Sequence, residues 1–473
     1  MNVLLLVIDS MRAKSIDLNG ESGPTATPFL RQLARESIRF TRAYATECWT
    51  LPTHCSIFTG RLPSEHGAHF QTMAYQADYP TVAEILSDGG YYTEIVTRNS
   101  IFDNSLPGIT RGFVVNTRVT SSRSWLDPMA VMLALSKPRF RRQIVSSGFF
   151  HPRQVESRAF CSNFARATLP ADREALLKVL ESMKWCRDTG RPYFVFCNLY
   201  DVHAPYSPSC TSILRPFRDP STWWESMRLP VVLPRLGSHA YLRRGFSLSD
   251  WDRLMLLGRY HTAIELADSK LRAFYEEALD AGLLDDTLLV VTSDHGEAFG
   301  DHDLYLHDAS VYDVHLHVPL LVRFPDGRSE VVDDVVSTRH LFDVLLSAVR
   351  RGRHGPTVLD AEFRAEHPIA IAEHFFYPHV PDARPCYRSN QVSAIVGDAK
   401  LIVRENEALF YDLSRDGEEM GATRGTLADF IDVARGQGAA PRTASVALEH
   451  LRAFQSRHGP TPGEAAEPRE FSP

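Results

Sequence analysis

The stretch Val3-Leu4-Leu5-Leu6-Val7-Ile8-Asp9 sets the fold class of this chain. Six consecutive apolar residues predict a strand that is covered on both faces, as in a parallel sheet. Two later stretches, Pro192 to Tyr200 and Thr287 to Thr292, have the same apolar character. Shorter helix-like and strand-like segments alternate between Thr27 and Thr97. This rhythm predicts an α/β fold, with a doubly wound and mainly parallel sheet flanked by helices.

Each of the three apolar strands is followed by an acidic residue: Asp9, Asp201 and Asp294. In open α/β sheets, ligands bind beyond the carboxyl ends of the strands. A single acid in this place is usually a helix cap or a turn residue. Three acids, two of them followed within two positions by a histidine (His203 and His295), favour a binding site.

The composition is that of a globular protein with a large core. The chain has 473 residues, 44% of them hydrophobic, which suggests about two or three domains. A net charge of −7 without basic blocks argues against nucleic-acid binding. The first apolar run is too short to span a bilayer and lacks signal-peptide flanks, so we expect no membrane span and a cytoplasmic location. Seven cysteines without Cys-x-x-Cys spacing fit reduced thiols. No pattern predicts an oligomeric state.

A second informative stretch runs from Ala45 to Arg61 and contains Thr50-Leu51-Pro52-Thr53-His54. Pro52 suits the first turn of a helix, and Gly60 suits the left-handed residue that ends one. Thr50 is therefore expected at a helix N-terminus, where unpaired N–H groups favour negative charge. This stretch alone leaves two interpretations open: Thr50 is a helix cap, or its hydroxyl is a nucleophile.

Four motifs in this order resemble the sulfatase domain of the alkaline phosphatase superfamily. They are Val7-Ile8-Asp9, the run from Trp49 to Gly60, Asp201-Val202-His203-Ala204-Pro205-Tyr206 and Thr292-Ser293-Asp294-His295-Gly296-Glu297. The resemblance covers roughly residues 1–415, apart from stretches near 115–185 and 207–250. It implies an alkaline phosphatase-like fold and a metal-dependent hydrolase that acts on a small-molecule ester.

The resemblance also implies a metal site. Asp9, Asp294 and His295 would hold a divalent cation, and Thr50 would coordinate the cation while it attacks the substrate. A metal makes such a hydroxyl usable as a nucleophile near neutral pH. Mixed oxygen and imidazole ligands favour Mn²⁺ or Zn²⁺ over Ca²⁺ or Mg²⁺.

Further catalytic and substrate-binding candidates follow from the same resemblance. His203 would hydrogen-bond a phosphoryl oxygen or ligate a second metal, and His307 would protonate the leaving group, although a structural role for His307 is equally open. The substrate-binding candidates are Arg98, Asn99, His54 and Asp201. Arg98 would pair with an anionic oxygen. Asp201 is a candidate for the second metal as well, and His54 either orients Thr50 or lines the helix.

Three positions depart from sulfatases. Sulfatases carry a cysteine or a serine where this chain has Thr50, a second aspartate at the position of Ser10 and an asparagine at that of His295. The sulfatase cysteine is oxidised to formylglycine, and neither Cys48 nor Cys55 begins the required Cys-x-Pro-x-Arg motif. At these positions the chain resembles the threonine-nucleophile branch of the superfamily, which includes phosphodiesterases and phosphonate monoester hydrolases.

We therefore predict a hydrolase of phosphodiesters or phosphonate esters that forms a covalent intermediate on Thr50. Three alternatives stay open: a sulfatase, a phospho-group transferase, and a catalytically silent member that binds a ligand.

The predicted domain organisation has three parts. Residues 1–350 form the catalytic domain, which includes less regular stretches at about 115–185 and 207–250. Residues 351–433 form a small antiparallel-sheet subdomain. Its four predicted strands are Ile369 to Ala372, Gln391 to Val396, Lys400 to Arg404 and Ala408 to Asp412. Residues 434–473 contain one helix and a tail whose composition predicts disorder.

Overall fold

A computed structural model describes most of the chain: residues 1–18, 24–102, 108–119, 172–204, 206, 246–307, 309–347, 356–376, 387–404, 407–417, 419–421, 423–424, 430, 432–433 and 441–458. Most of the two less regular stretches, and the tail after residue 458, lie outside the described residues.

The described strands form three sheets. In chain order they are β1 (Asn2–Ile8), β2 (Ile38–Tyr44), β3 (Tyr92–Thr97), β4 (Val115–Arg118), β5 (Tyr193–Leu199), β6 (Thr287–Thr292), β7 (Ala298–Phe299), β8 (Tyr305–Leu306), β9 (His317–Arg323), β10 (Glu330–Ser337), β11 (Ala370–His374), β12 (Gln391–Val396), β13 (Ala399–Arg404), β14 (Glu407–Asp412) and β15 (Thr423–Arg424).

The main sheet has eight strands in the order β10-β2-β9-β6-β1-β5-β3-β4. The antiparallel strand is β9, and the other neighbouring pairs run parallel. The three apolar strands β6, β1 and β5 lie side by side at the centre, with every residue from Val3 to Ile8 buried. Their carboxyl ends therefore meet at one edge, which brings the residues that follow them together.

Helices cover the main sheet. In chain order the described helices are α1 (Pro28–Arg35), α2 (Thr50–Thr59), α3 (Pro63–His66), α4 (Val82–Asp88), α5 (Asp172–Thr189), α6 (Asp250–Asp280), α7 (Asp313–Leu316), α8 (Leu341–Ser347), α9 (Ala361–Glu366) and α10 (Pro441–His458). The longest, α6, begins at the cap Ser249, whose side chain accepts a hydrogen bond from Asp252 N, and it packs against α1 and α5.

Helix α2 begins at Thr50 and is buried along its whole length. Its cap is Trp49 in extended conformation, so Thr50 is the first helical residue and not the cap. Gly60 ends the helix with φ of 71°, and its N–H donates to Ser56 O at 2.8 Å. A residue with a side chain would be strained in this conformation, which explains the glycine.

The small sheet is antiparallel, with the order β11-β12-β13-β14-β15. Its first four strands match the four predicted ones to within a few residues, and a two-residue strand, Thr423–Arg424, adds to its edge. The predicted fold class, a mainly parallel sheet with a small antiparallel one, is therefore confirmed. Among the described helices, none is both long and apolar enough to cross a membrane.

Candidate active site

Three buried side chains converge beyond the central strands. Asp9 follows β1, and Asp294 and His295 follow β6. His295 Nε2 lies 3.4 Å from Asp294 Oδ2 and 3.8 Å from Asp9 Oδ1. One donor atom from each residue fits within 4.8 Å of the others, and all three residues are 0% exposed. We call these three residues the Asp9 group.

Hydrogen bonds fix the orientation of each member of the Asp9 group. His295 Nδ1–H donates to Gly296 O at 2.9 Å, which turns Nε2 toward the two carboxylates. Asp9 Oδ2 accepts from Asn99 Nδ2 at 3.1 Å, so this predicted substrate residue contacts a member of the group. Such outer contacts orient the ligands in metal sites.

Ser10 supports the same group through its backbone. Its φ of 65° is uncommon for a residue other than glycine. This conformation directs Ser10 N–H to Asp294 Oδ1 at 3.1 Å, and Ser10 Oγ donates to Asp9 Oδ1 at 3.0 Å. Tyr260 on α6 donates to Ser10 O at 2.8 Å, which holds the turn in place. Backbone strain of this kind is often found at functional sites.

The electrostatics of the Asp9 group favour a cation. Burial, followed by the nearby charge of Asp9, raises the pKa of Asp294 well above its usual range. Burial, followed by the charge of His307, lowers the pKa of His295 well below its usual range. Asp294 Oδ2 is buried and has no hydrogen-bond partner among the described residues. A divalent cation would balance the two carboxylates and use this unpaired oxygen, so the residues fit a metal ion.

The Thr50 hydroxyl lies next to the Asp9 group. Thr50 Oγ1 is 3.5 Å from His295 Nε2, and Thr50 is 2% exposed. One turn later, His54 Nδ1–H donates to Thr50 O at 2.8 Å and lies 3.7 Å from Asp294 Oδ2. Burial lowers the pKa of His54 to about 4, so its ring is neutral near pH 7. His54 therefore bonds the backbone of the predicted nucleophile.

Arg98 presents unpaired donors in a buried position. Its side chain is 5% exposed, and Nε and Nη1 have no hydrogen-bond partner among the described residues. Its Nη2 lies 3.5 Å from Asp201 Oδ1, and Lys270 on α6 contacts the other Asp201 oxygen. Asp201, predicted to bind substrate or a second metal, is thus paired with two cations.

His203 and His307 continue the site in a chain of rings. The His307 ring centroid lies 4.4 Å from that of His295 and 4.9 Å from that of His203. Burial lowers the pKa of His203, and its Nδ1–H donates to Ala204 O at 2.7 Å. The structure therefore brings both predicted histidines to the Asp9 group.

Glu297 is a functional candidate that the sequence analysis did not single out. Both of its carboxylate oxygens lie 3.2 Å from His307 Nδ1, and Glu297 is 0% exposed. A buried carboxylate beside Nδ1 favours the form of the ring that carries a proton on this nitrogen. Glu297 is the last residue of one of the four motifs, but no spacing rule pairs it with His307, ten residues later. The contact between Lys270 and Asp201 could not be predicted either, because Lys270 lies on a distant helix.

Comparisons with known proteins identify the family of this chain. The family model described as Sulfatase matches residues 1–350. The chain belongs to the sulfatase family. Members of its superfamily are metal-dependent, in line with the Asp9 group.

Curated relatives match most of the chain. Human iduronate 2-sulfatase is 22% identical over 352 residues, which is 70% of this chain and 60% of that protein. The multifunctional alkaline phosphatase superfamily protein PehA of Trinickia caryophylli is 25% identical over 348 residues, 64% of each chain. This chain spans about 60 to 65% of the length of the first curated relatives it matches.

A solved structure shows the same fold over nearly the whole chain. The phosphonate monoester hydrolase of Agrobacterium radiobacter superposes with a TM-score of 0.62 at 20% identity, covering 96% of this chain and 95% of that one. The chain is therefore a member of the sulfatase family with an alkaline phosphatase-like fold.

Proposed function

We propose that this sulfatase-family chain hydrolyses a phosphodiester or a phosphonate ester through a covalent intermediate on Thr50. The observation that carries the proposal is the Thr50 hydroxyl, the first residue of α2, placed 3.5 Å from His295 in the Asp9 group. A nucleophile, a metal-ligand set and unpaired cationic donors of Arg98 then share one buried site.

Asp9, Asp294 and His295 would hold the ion, with Mn²⁺ or Zn²⁺ favoured by the mixed carboxylate and imidazole donors. Such an ion, when bound, lowers the pKa of a hydroxyl beside it and offsets negative charge on the substrate. The remaining work is done by the residues of the chain. The hydroxyl proton of Thr50 passes to solvent, Oγ1 attacks phosphorus as the alkoxide, and the bond from phosphorus to the leaving alcohol breaks.

Arg98 and the histidines have separate tasks in this scheme. The unpaired Nε–H and Nη1 groups of Arg98 bind a non-bridging oxygen of the substrate, and Asp201 holds the guanidinium in place. His203 contacts a second phosphoryl oxygen. His307, oriented by Glu297, donates a proton to the leaving alcohol and then takes one from the water that releases Thr50.

The identity of residue 50 favours a phosphorus ester. Thr50 cannot become formylglycine, because that residue arises from a cysteine or a serine. Enzymes named phosphonate monoester hydrolases, from Agrobacterium radiobacter and Silicibacter pomeroyi, share the fold, as does a 2-O sulfatase, so the fold is compatible with either ester.

A sulfate ester is the second candidate substrate, since iduronate 2-sulfatase and choline-sulfatase are among the relatives. A sulfatase of this chain would have to use an unmodified threonine. The two candidates differ in the central atom that Thr50 attacks.

Matched p-nitrophenyl esters test the proposal. Manganese-loaded protein would be assayed on a phosphodiester, a phosphonate monoester, a phosphomonoester and a sulfate. We expect turnover of a diester or phosphonate, abolished by Thr50→Ala. The matched control is Thr59→Ala, at the far end of α2, where the hydroxyl donates to Cys55 O within the helix. Turnover of the sulfate alone would overturn the phosphorus assignment, and absence of all four activities with no bound metal would favour a silent binding member.

A further inference from the structure

A second buried cluster lies between the loop before Thr50 and the small sheet. Glu47 and Cys48 precede α2, and His374 ends β11. All three are at most 1% exposed, and one donor atom from each fits within 4.8 Å of the others. The cluster is separate from the Asp9 group in composition, because it contains a thiol and comes from different segments.

The separation of Cys48 and His374 matches that of two ligands on one tetrahedral ion. Cys48 Sγ lies 3.6 Å from His374 Nδ1, and Glu47 Oε1 lies 2.9 Å from the same nitrogen. Bond lengths of about 2.3 Å to sulfur and about 2.05 Å to nitrogen, at a tetrahedral angle, predict a separation of about 3.6 Å. A thiol activated by a histidine and a carboxylate would instead use the two different ring nitrogens. Cys48 Sγ and His374 Nδ1 are therefore spaced for one ion, and Glu47 Oε1 lies at hydrogen-bond distance from the same nitrogen.

The charge of Glu47 supports a bound cation. Its Oε2 is buried and has no hydrogen-bond partner among the described residues. Among the described residues, Glu47 forms its ion pair with His374, and no arginine or lysine pairs with Glu47. A buried carboxylate with an unpaired oxygen is costly, and a metal ion is a common solution.

We propose that Glu47, Cys48 and His374 bind a second divalent cation of the zinc class. Carboxylate, thiolate and imidazole are the donors that zinc takes in proteins. On binding, the thiol proton of Cys48 passes to solvent and the imidazole proton resides on Nε2, so that Sγ and Nδ1 each offer an electron pair. The unpaired Glu47 Oε2, or a water molecule, fills the fourth position. The site does not depend on the reaction at Thr50.

The position of this cation gives it a structural role. It would join the loop that carries Thr50 to the end of β11, where Glu373 N–H already donates to Thr46 O at 2.9 Å. The Glu373 carboxylate accepts from Ser64 N and Oγ, so β11 contacts the segment after α2 as well. A metal bond at His374 would fix the segment before α2 to the small sheet, while Glu373 already holds the segment after it.

Cobalt substitution separates the two metal sites. Metal-free protein would be titrated with Co²⁺ and followed by absorption, because a thiolate ligand gives a near-ultraviolet charge-transfer band that carboxylates and imidazole do not. We expect this band in the wild-type protein and in Asp294→Ala, which disables only the Asp9 group. Cys48→Ser should lose the band and one of two bound ions, whereas Cys186→Ser, a buried cysteine on α5, should keep both.

The absence of the band from the wild-type protein would overturn the proposal without any variant. A band that survives Cys48→Ser would overturn it as well, since another thiol would then be the ligand. As a second readout, a chelator should lower the melting temperature of Asp294→Ala, and should leave that of Asp294→Ala/Cys48→Ser unchanged. An equal shift in both would show that the cluster binds no stabilising ion.

Discussion

The contact between Glu297 and His307 predicts how the rate depends on the leaving group. If His307 protonates the leaving alcohol, its removal should matter only for alcohols that need the proton. We consider His307→Gln with two phosphonate esters that differ in the leaving group, p-nitrophenol and methanol. Departure of p-nitrophenolate needs little acid catalysis, whereas departure of methoxide does.

The magnitude follows from the geometry of the ring. His307 is held by both Glu297 oxygens at 3.2 Å, and its ring centroid lies 4.4 Å from that of His295, which places the ring beside the Asp9 group. Positioned general acids contribute about 10²- to 10⁴-fold, which corresponds to roughly 3 to 5 kcal/mol. We expect kcat/KM for the methyl ester to fall by about this factor, and for the p-nitrophenyl ester by less than about tenfold.

Steady-state kinetics on the two esters provide the assay. Glu297→Gln keeps the shape of the contact but removes its charge, and it should show the same selectivity with a smaller loss. His302→Gln is the matched control on the same loop, where the His302 ring stacks on Tyr312 at 3.9 Å. Equal losses for both esters in His307→Gln would refute the acid role and indicate that His307 only binds or packs.

Three further predictions concern stability. Gly112→Ala should lower the free energy of unfolding more than Gly190→Ala, because a Cβ at Gly112 would lie 2.0 Å from Glu84 N, whereas Gly190 has a similar positive φ but open space. The backbone strain common to both costs about 1–2 kcal/mol. Denaturant unfolding compares the two variants. Burial lowers the pKa of His66 from 6.5 to about 3, so the unfolded state binds more protons below pH 6.5 and the protein loses up to about 2 kcal/mol of stability at pH 5. In His66→Gln, the free energy of unfolding should therefore change less steeply between pH 7 and pH 5. An unchanged slope would contradict this prediction. Lys400→Met should lower the free energy of unfolding by about 3–5 kcal/mol, because the buried Lys400 pairs with the carboxylates of Asp313 and Glu419, which would lose their cation. Thermal or urea unfolding measures this loss, and a neutral result would show that these carboxylates are protonated.

The sequence predicted the part of the site that depends on sheet geometry. Asp9 and Asp294 each follow an apolar strand, and parallel strands end at one edge, so their convergence could be expected from the sequence. Asp201 also follows such a strand, but its carboxylate pairs with Arg98 and Lys270. Pro52 and Gly60 likewise predicted a helix with Thr50 at its N-terminus and Gly60 at its end.

Contacts between distant segments could not be predicted. Lys270 reaches Asp201 from the middle of α6, and the unusual φ of Ser10 reflects hydrogen bonds to Asp294 and Tyr260. These features depend on how helices pack on the sheet, and hydrophobic periodicity carries no information about them. The Glu47 cluster shows the same limit, because His374 belongs to a strand more than 300 residues away.

The covalent intermediate on Thr50 is the central claim, and trapping it is the most direct test. Manganese-loaded protein would be mixed with p-nitrophenyl phenylphosphonate, quenched in acid within the first turnover, digested with trypsin and analysed by mass spectrometry. The account predicts one phenylphosphonyl group on the peptide from Ala43 to Arg61, localised to Thr50 by fragmentation. Turnover without any adduct on this peptide, or unchanged turnover by Thr50→Ala, would contradict the account.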